Sequence, residues 1–242
     1  MVGADNAQPG GSRGISDMYC DQWRCAGAIL KALVALALLA CCACDTVGVV
    51  ASKVVGEEDV PASYPGLKGQ RVGVLVWADA GIVIDHPRIF ADIADSLQSK
   101  LQQAKDAGVK ELTDTKFLPN NQILRFQDAH PESQSDSAEQ IALKLPLTRL
   151  IYVEVASLSI HPNDSLDLSR GEAVANVKVV EVADGKAKSV YENDNISGVY
   201  PPNSPPEGMP GLDDETVYHK SIDALTTELA KLFITHPSDT EQ

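Results

Sequence analysis

Cysteine and histidine are the residue types here most able to do chemistry, and their placement restricts what that chemistry is. The five cysteines are Cys20, Cys25, Cys41, Cys42 and Cys44, and no thiol follows Cys44. A disulfide framework spreads its cysteines through the fold, which this chain does not do. A zinc site needs a second pair of ligands, but His86, His130, His161, His219 and His236 stand singly. No metal or cofactor is expected. Val72-Gly73-Val74 lacks the glycine spacing of a dinucleotide loop and no GK[ST] follows it. Neither GxSxG nor HExxH occurs. Asp79, Asp85 and His86 do fall between a predicted strand and a predicted helix, where α/β sheets often place ligand sites. Two readings of them stand: a capped helix start on a solvated loop, or the site of an enzyme or small-ligand-binding protein. Glu154 reads as an acidic-pocket residue or an exposed strand position, His161-Pro162-Asn163-Asp164 as metal ligands or an ordinary turn, and His130 before Pro131 as turn chemistry.

The cysteines gain a meaning from what precedes them. Ala32 to Ala40 is an uncharged apolar stretch, with Arg24 and Lys31 ahead of it. A basic region, a short apolar region and a small residue before a cut are the order of a secretory signal. The stretch is shorter than the ~20 apolar residues a bilayer span needs, and its other reading is a buried apolar helix. Leu38-Leu39-Ala40-Cys41 resembles the bacterial lipobox, whose cysteine is lipidated and becomes the mature amino terminus. Cys42 would follow a cysteine, and Cys44 lacks the leucine three places earlier. The expected organisation is a signal peptide over 1–40, starting at Met1 or Met18, then a lipid-anchored tether over 41–69. An α/β domain over 70–235 and a polar tail over 236–242 complete it.

The elements of that domain follow from periodicity. Val72 to Trp77 is apolar on both faces, as in a strand buried on both sides. Ile89, Ile93, Leu97 and Leu101 recur every four residues, a helix stripe with Pro87 suited to its first turn and Gly108 to its stop. Residues 109–118 suggest a strand and 120–129 a helix. Asp136-Ser137-Ala138-Glu139 has capping-box spacing with Asp136 in the cap position. Leu150 to Ile160 is rich in strand formers. Residues 173–182 and 188–193 flank Asp184-Gly185, a strong hairpin signal. Asp213 or Asp214 caps a last helix, whose face carries Val217, Tyr218, Ile222, Leu225, Leu229 and Leu232. The predicted fold class is α/β: a mixed sheet with packed helices, one domain behind a lipoprotein signal and tether. Val74, Val76, Ile93, Leu97, Val153 and Leu225 are its predicted core.

A lipobox, RVGVLVWAD opening a sheet, an amphipathic helix, LIYVEVASL, a hairpin around ADG and a closing helix together resemble the TolB amino-terminal-like domain. Bacterial envelope lipoproteins of the LpoB and CsgG type share that domain. The resemblance covers roughly Arg71 to Phe233 and implies an envelope protein partner: a cell-wall synthase for the LpoB type, an export pore for the CsgG type. The spanning hairpins of a pore former are not evident.

Acidic residues outnumber basic ones 34 to 20, for a formal net charge of −14. Such a chain, without a Lys/Arg cluster, is ill suited to phosphate backbones, so nucleic acid is not an expected partner. A binding module needs a working surface, and residues 195–211, with five prolines, are the first candidate. Proline lowers the ordering cost of binding, and Tyr200 and Met209 offer apolar contact. The other reading of the segment is a connection from sheet to final helix. The sequence-level expectation is therefore a membrane-anchored envelope lipoprotein, lipidated at Cys41, periplasm-facing or at the surface. It binds a protein partner and is not an enzyme.

Overall fold

A computed structural model of the chain describes residues 59–162 and 167–238. The proposed signal peptide, Cys41 and most of the tether lie outside these residues. Seven strands and five α-helices follow in order: β1 (Asp59–Val60), β2 (Arg71–Ala78), α1 (Ala80–Asp85), α2 (Ile89–Asp106), β3 (Lys116–Phe117), α3 (Asn120–Ala129), α4 (Ala138–Lys144), β4 (Arg149–Ser159), β5 (Gly171–Ala183), β6 (Lys186–Tyr200), α5 (Asp214–Lys231) and β7 (His236–Pro237). The main sheet has the order β3-β2-β4-β5-β6. β2 runs parallel to both neighbours, and β4, β5 and β6 are antiparallel. It is the mixed sheet with packed helices that the pattern of elements predicts.

Each face of the sheet has its own apolar layer. Val72, Val74 and Val76 of β2, Ile151 and Val153 of β4, and Ala175, Val177 and Val179 of β5 pack against α2 and α5. On the opposite face Leu75, Leu150 and Val180 meet Ile123 of α3 and Ile141 and Ala142 of α4. The six predicted core residues, Val74, Val76, Ile93, Leu97, Val153 and Leu225, are all buried. Beyond α4 this second face opens to solvent. Glu154 is exposed there beside Tyr152, whose phenol burial and the neighbouring carboxylate push up to about 12.

Local rules set the boundaries. Asp184 and Gly185 both adopt positive φ, 51° and 71°, as an Asp-Gly hairpin turn requires. Gly108, at φ 86°, ends α2 where only glycine is at ease. Asp213 caps α5 by accepting from the Thr216 amide and hydroxyl, bonds that hold its own carboxyl below the usual range.

The fold departs from the sequence expectation at five places. Ser137, not Asp136, caps α4, because Gln140 rather than Glu139 closes the box onto the Ser137 amide. Most of 109–118 is not strand: a 3-10 turn over Lys110–Leu112 leaves only β3. Pro87 lies just ahead of α2, after the short helix α1. Residues 195–200, expected in a loop, continue β6, because they keep their pairing with Gly171–Ala175. The folded body also extends past 70–235 at both ends. Leu67 is fully buried, Tyr64 packs edge-on to Phe233, and the Arg149 guanidinium donates to the Tyr64 hydroxyl. Asp59–Val60 then pairs with His236–Pro237, inside what reads as tether and tail. Apolar Leu67 and Tyr64 are isolated among prolines and glycines, so no periodicity announces them.

Candidate functional site

The region after β2 is built by two helix starts. The chain leaves Ala78, passes through α1 and enters α2, while α5 lies alongside α2 with its first turns at the same end. Between them is a cleft of about 470 Å³ lined by Asp85, His86, Arg88, Asp92, Tyr218 and His219, with Pro87 and Glu215 completing the wall. The His86 ring stacks on Tyr218 at 4.8 Å between centroids and 10° between planes. The Tyr218 hydroxyl donates to Asp92 Oδ2 at 2.9 Å, and Arg88 Nε approaches Asp92 Oδ1 at 3.5 Å. Burial pushes the Tyr218 phenol far above its ordinary value, and the hydrogen bond to Asp92 adds to that. His219 packs edge-on to Tyr218 at 5.0 Å between ring centroids, with its Nε2 3.9 Å from Glu215.

Asp85 and His86 therefore do come together in one cleft. Asp79 does not join them: it is exposed at the start of α1 and makes no side-chain cap. The sequence alone does not single out Arg88, Asp92, Glu215, Tyr218 or His219 as site residues: Tyr218 enters it only on the face of the last helix and His219 only as a lone histidine. Their one signal was Tyr218, a hydroxyl-bearing ring on an otherwise aliphatic helix face. Among the described residues no three His, Cys, Asp or Glu side chains gather closely enough to hold a metal ion.

A second concavity, about 530 Å³, lies between the outer edge of β6 and α5. Tyr200, Val199 and Pro202 line one side; Ala224 and Thr227 line the other, with Lys220, Asp223 and Glu228 at the rim. β6 pairs with β5 on one side and with no strand on the other among the described residues. Its hairpin half is shielded as edge strands usually are. Lys186 and Lys188 punctuate it, and the pairing with β5 slips at Val179/Val180 and again at Ala175/Val177. From Ile196 to Tyr200 the register is regular, so the stretch beside the groove is a straight, unpaired edge. Helix α5 comes close here because residue 198 is glycine: a methyl at Gly198 would lie 2.0 Å from the Leu225 amide nitrogen.

Of the two residues predicted in this region, Tyr200 lines the groove and Met209 does not. Met209 is 41% exposed and exchanges both backbone hydrogen bonds with Ser169, which pins the proline-rich segment to the start of β5. Nearby, His161 Nδ1 faces the Leu168 carbonyl at 3.1 Å and Nε2 faces Asp214 at 3.2 Å. Both partners only accept, so the doubly protonated ring satisfies the site. The Leu168 carbonyl, then Asp214, raise its proton affinity against the opposing effect of burial. Asn163 and Asp164 lie outside the described residues. His130 is turn chemistry: it bonds Glu132 at 3.0 Å and packs on Phe126. No helix among the described residues is long and apolar enough to cross a membrane.

No family model matches the chain, and no curated protein matches it. Several solved structures are similar to it at low identity. A hypothetical protein of Chlamydia trachomatis, CT253, is 14% identical, with 67% of this chain and 90% of that one covered and a TM-score of 0.39. The PelC dodecamer of Paraburkholderia phytofirmans is 13% identical, covering 72% and 93%, with a TM-score of 0.37. A third similar structure, the lipoprotein GNA1162 of Neisseria meningitidis, is 12% identical over 53% of this chain and 81% of its own, at a TM-score of 0.34.

Proposed function

We propose that the chain is a bacterial envelope lipoprotein, anchored through lipid on Cys41, whose α/β domain docks a protein partner. The observation that carries the docking is the groove between β6 and α5. An unpaired, regular strand edge beside an apolar concavity is suited to an extended segment that adds as a further strand and seats a side chain against Tyr200 and Pro202. A net charge of −14 favours a partner that is basic around that segment and disfavours nucleic acid. In this reading the domain works by binding rather than catalysis, in the periplasm or at the surface. The anchor is supported by the order of basic residues, apolar run and Leu38-Leu39-Ala40-Cys41.

Two substitutions in the full chain test the halves of the proposal separately. Cys41→Ala should remove acyl label and move the protein from the detergent phase to the aqueous phase. Unchanged labelling would contradict the anchor. Tyr200→Asp should abolish capture of the partner from the native envelope while Met209→Asp leaves it intact. Equal capture by both variants would contradict docking in the groove.

A further inference from the structure

We infer that the groove between β6 and α5 selects an extended segment with an acidic side chain opposite Tyr200 and, two residues on, an aliphatic one opposite Gly198. This rests on the docking proposed for that groove and names the chemistry of what docks. Two close approaches fix the order of side chains along the groove. A methyl added at Gly198 would lie 2.0 Å from the Leu225 nitrogen and 2.6 Å from the Ala224 carbonyl carbon, so Gly198 sits beside Ala224. A methyl added at Gly171, the pairing partner of Tyr200, would fall 1.7 Å from the Ser221 hydroxyl oxygen. Lys220 precedes Ser221 and lines the groove, so it stands at the Tyr200 end. Glu228, one turn past Ala224, stands at the other end, toward Ile196.

The charged groups of the groove differ in what they already hold. Glu228 faces Lys231 Nζ at 2.9 Å, and Asp223 faces Lys100 Nζ at 2.7 Å. Lys220 is exposed and has no partner among the described residues. The uncompensated charge in the groove is therefore a cation, opposite in sign to the chain's net charge of −14, and it favours a carboxylate on the incoming segment. The middle of the wall offers no free polar group: Ala224 is a methyl, and the Thr227 hydroxyl donates to the Asp223 carbonyl at 2.7 Å. Lys220 and Ala224 are one helical turn apart, ~6 Å along α5. Side chains on one face of a strand repeat every two residues, ~7 Å, which matches that step. Strands β4, β5 and β6 are antiparallel, and a further antiparallel strand pairs slightly more strongly than a parallel one. That direction puts the acidic residue on the N-terminal side of the aliphatic one.

Fluorescence anisotropy of the full chain with a dye-labelled, end-blocked peptide, Thr-Thr-Glu-Thr-Val-Thr-Thr, tests this. Three comparison peptides carry lysine for the glutamate, glycine for the valine, or the same residues in reverse order. The first peptide should bind saturably. The glycine peptide should bind ~10-fold more weakly, the loss of a buried valine side chain. The lysine peptide should lose at least ~2-fold, as exposed charge pairs do, and the reversed peptide should also bind more weakly. Lys220→Glu should invert the preference between the glutamate and lysine peptides; Lys220 is exposed, so the variant keeps the fold. Tyr200→Asp should abolish binding of all four and so reads the docking itself. Four peptides binding alike, yet all lost in Tyr200→Asp, would overturn the selectivity and leave the docking standing. A glutamate preference that survives Lys220→Glu would overturn the role given to Lys220. No saturable binding, or binding that Tyr200→Asp leaves unchanged, would overturn both the selectivity and the docking.

Discussion

Gly198→Ala is the substitution with the clearest physical consequence. An added methyl would lie 2.0 Å from the Leu225 nitrogen and 2.4 Å from its Cα, where ordinary contact begins at 3.4 Å. The obstacles are backbone atoms of α5, so no rotamer change relieves the clash and the helix must lift by more than 1 Å. Lifting it loosens Val217, Ile222, Leu225 and Leu229, all buried on the sheet. Overpacking of this kind costs at the upper end of ~1–3 kcal/mol. Replacing glycine returns ~0.4–1 kcal/mol by restricting the unfolded chain, which leaves a net loss of about 2 kcal/mol. Urea unfolding followed by far-UV circular dichroism should show that loss with an unchanged m-value. Gly81→Ala is the matched control: nothing lies within 4 Å of its added methyl and its φ is ordinary, so no loss is expected. If Gly198→Ala costs less than ~0.5 kcal/mol, the range of an ordinary surface change, α5 does not sit against β6 as described. The groove wall would then be misplaced.

Leu97→Ala removes a fully buried side chain between α2 and the sheet and should cost ~2–5 kcal/mol in the same assay; a loss below ~1 kcal/mol, under that range, would mean the helix face is wrong. His161 binds its proton more tightly in the fold than in the unfolded chain, so its contribution is complete below the ordinary value of ~6.5 and fades as pH rises through the higher folded value. An NMR titration should place the His161 ring above ~6.5, and His161→Gln should flatten that part of the stability profile; a ring titrating at or below the ordinary value would refute the two-acceptor geometry.

Strands and helices whose apolar residues repeat were readable from the sequence, because burial on one face imposes the repeat: the Ile89-Ile93-Leu97-Leu101 stripe faces the sheet, and Asp184-Gly185 turns the hairpin. What stayed hidden depends on approach in space. Leu67 and Tyr64 belong to the body through contacts with residues far along the chain, among them Thr115, Leu232, Phe233 and Arg149. Residues 195–200 read as loop because they run into the five prolines of 195–211, all of which follow Tyr200, and because Asn195 and Gly198 are poor strand formers. Gly198 is required by the neighbouring helix, and Asn195 takes φ 58° at a slip in register. The cleft could be half seen, since Asp85 and His86 are neighbours in the chain. Tyr218 and its companions come from the far end of the sequence and are joined to them only by the parallel course of α2 and α5.

The central claim is that the edge of β6 and α5 together form the docking surface, and proximity in the native envelope tests it most directly. A photoreactive residue placed at Thr227, in the groove wall, should give one discrete adduct with a partner protein, and Tyr200→Asp should abolish it. The same residue placed at Glu139, on α4 across the sheet, should give none. An adduct of equal yield from Glu139, or one from Thr227 that survives Tyr200→Asp, would contradict the account.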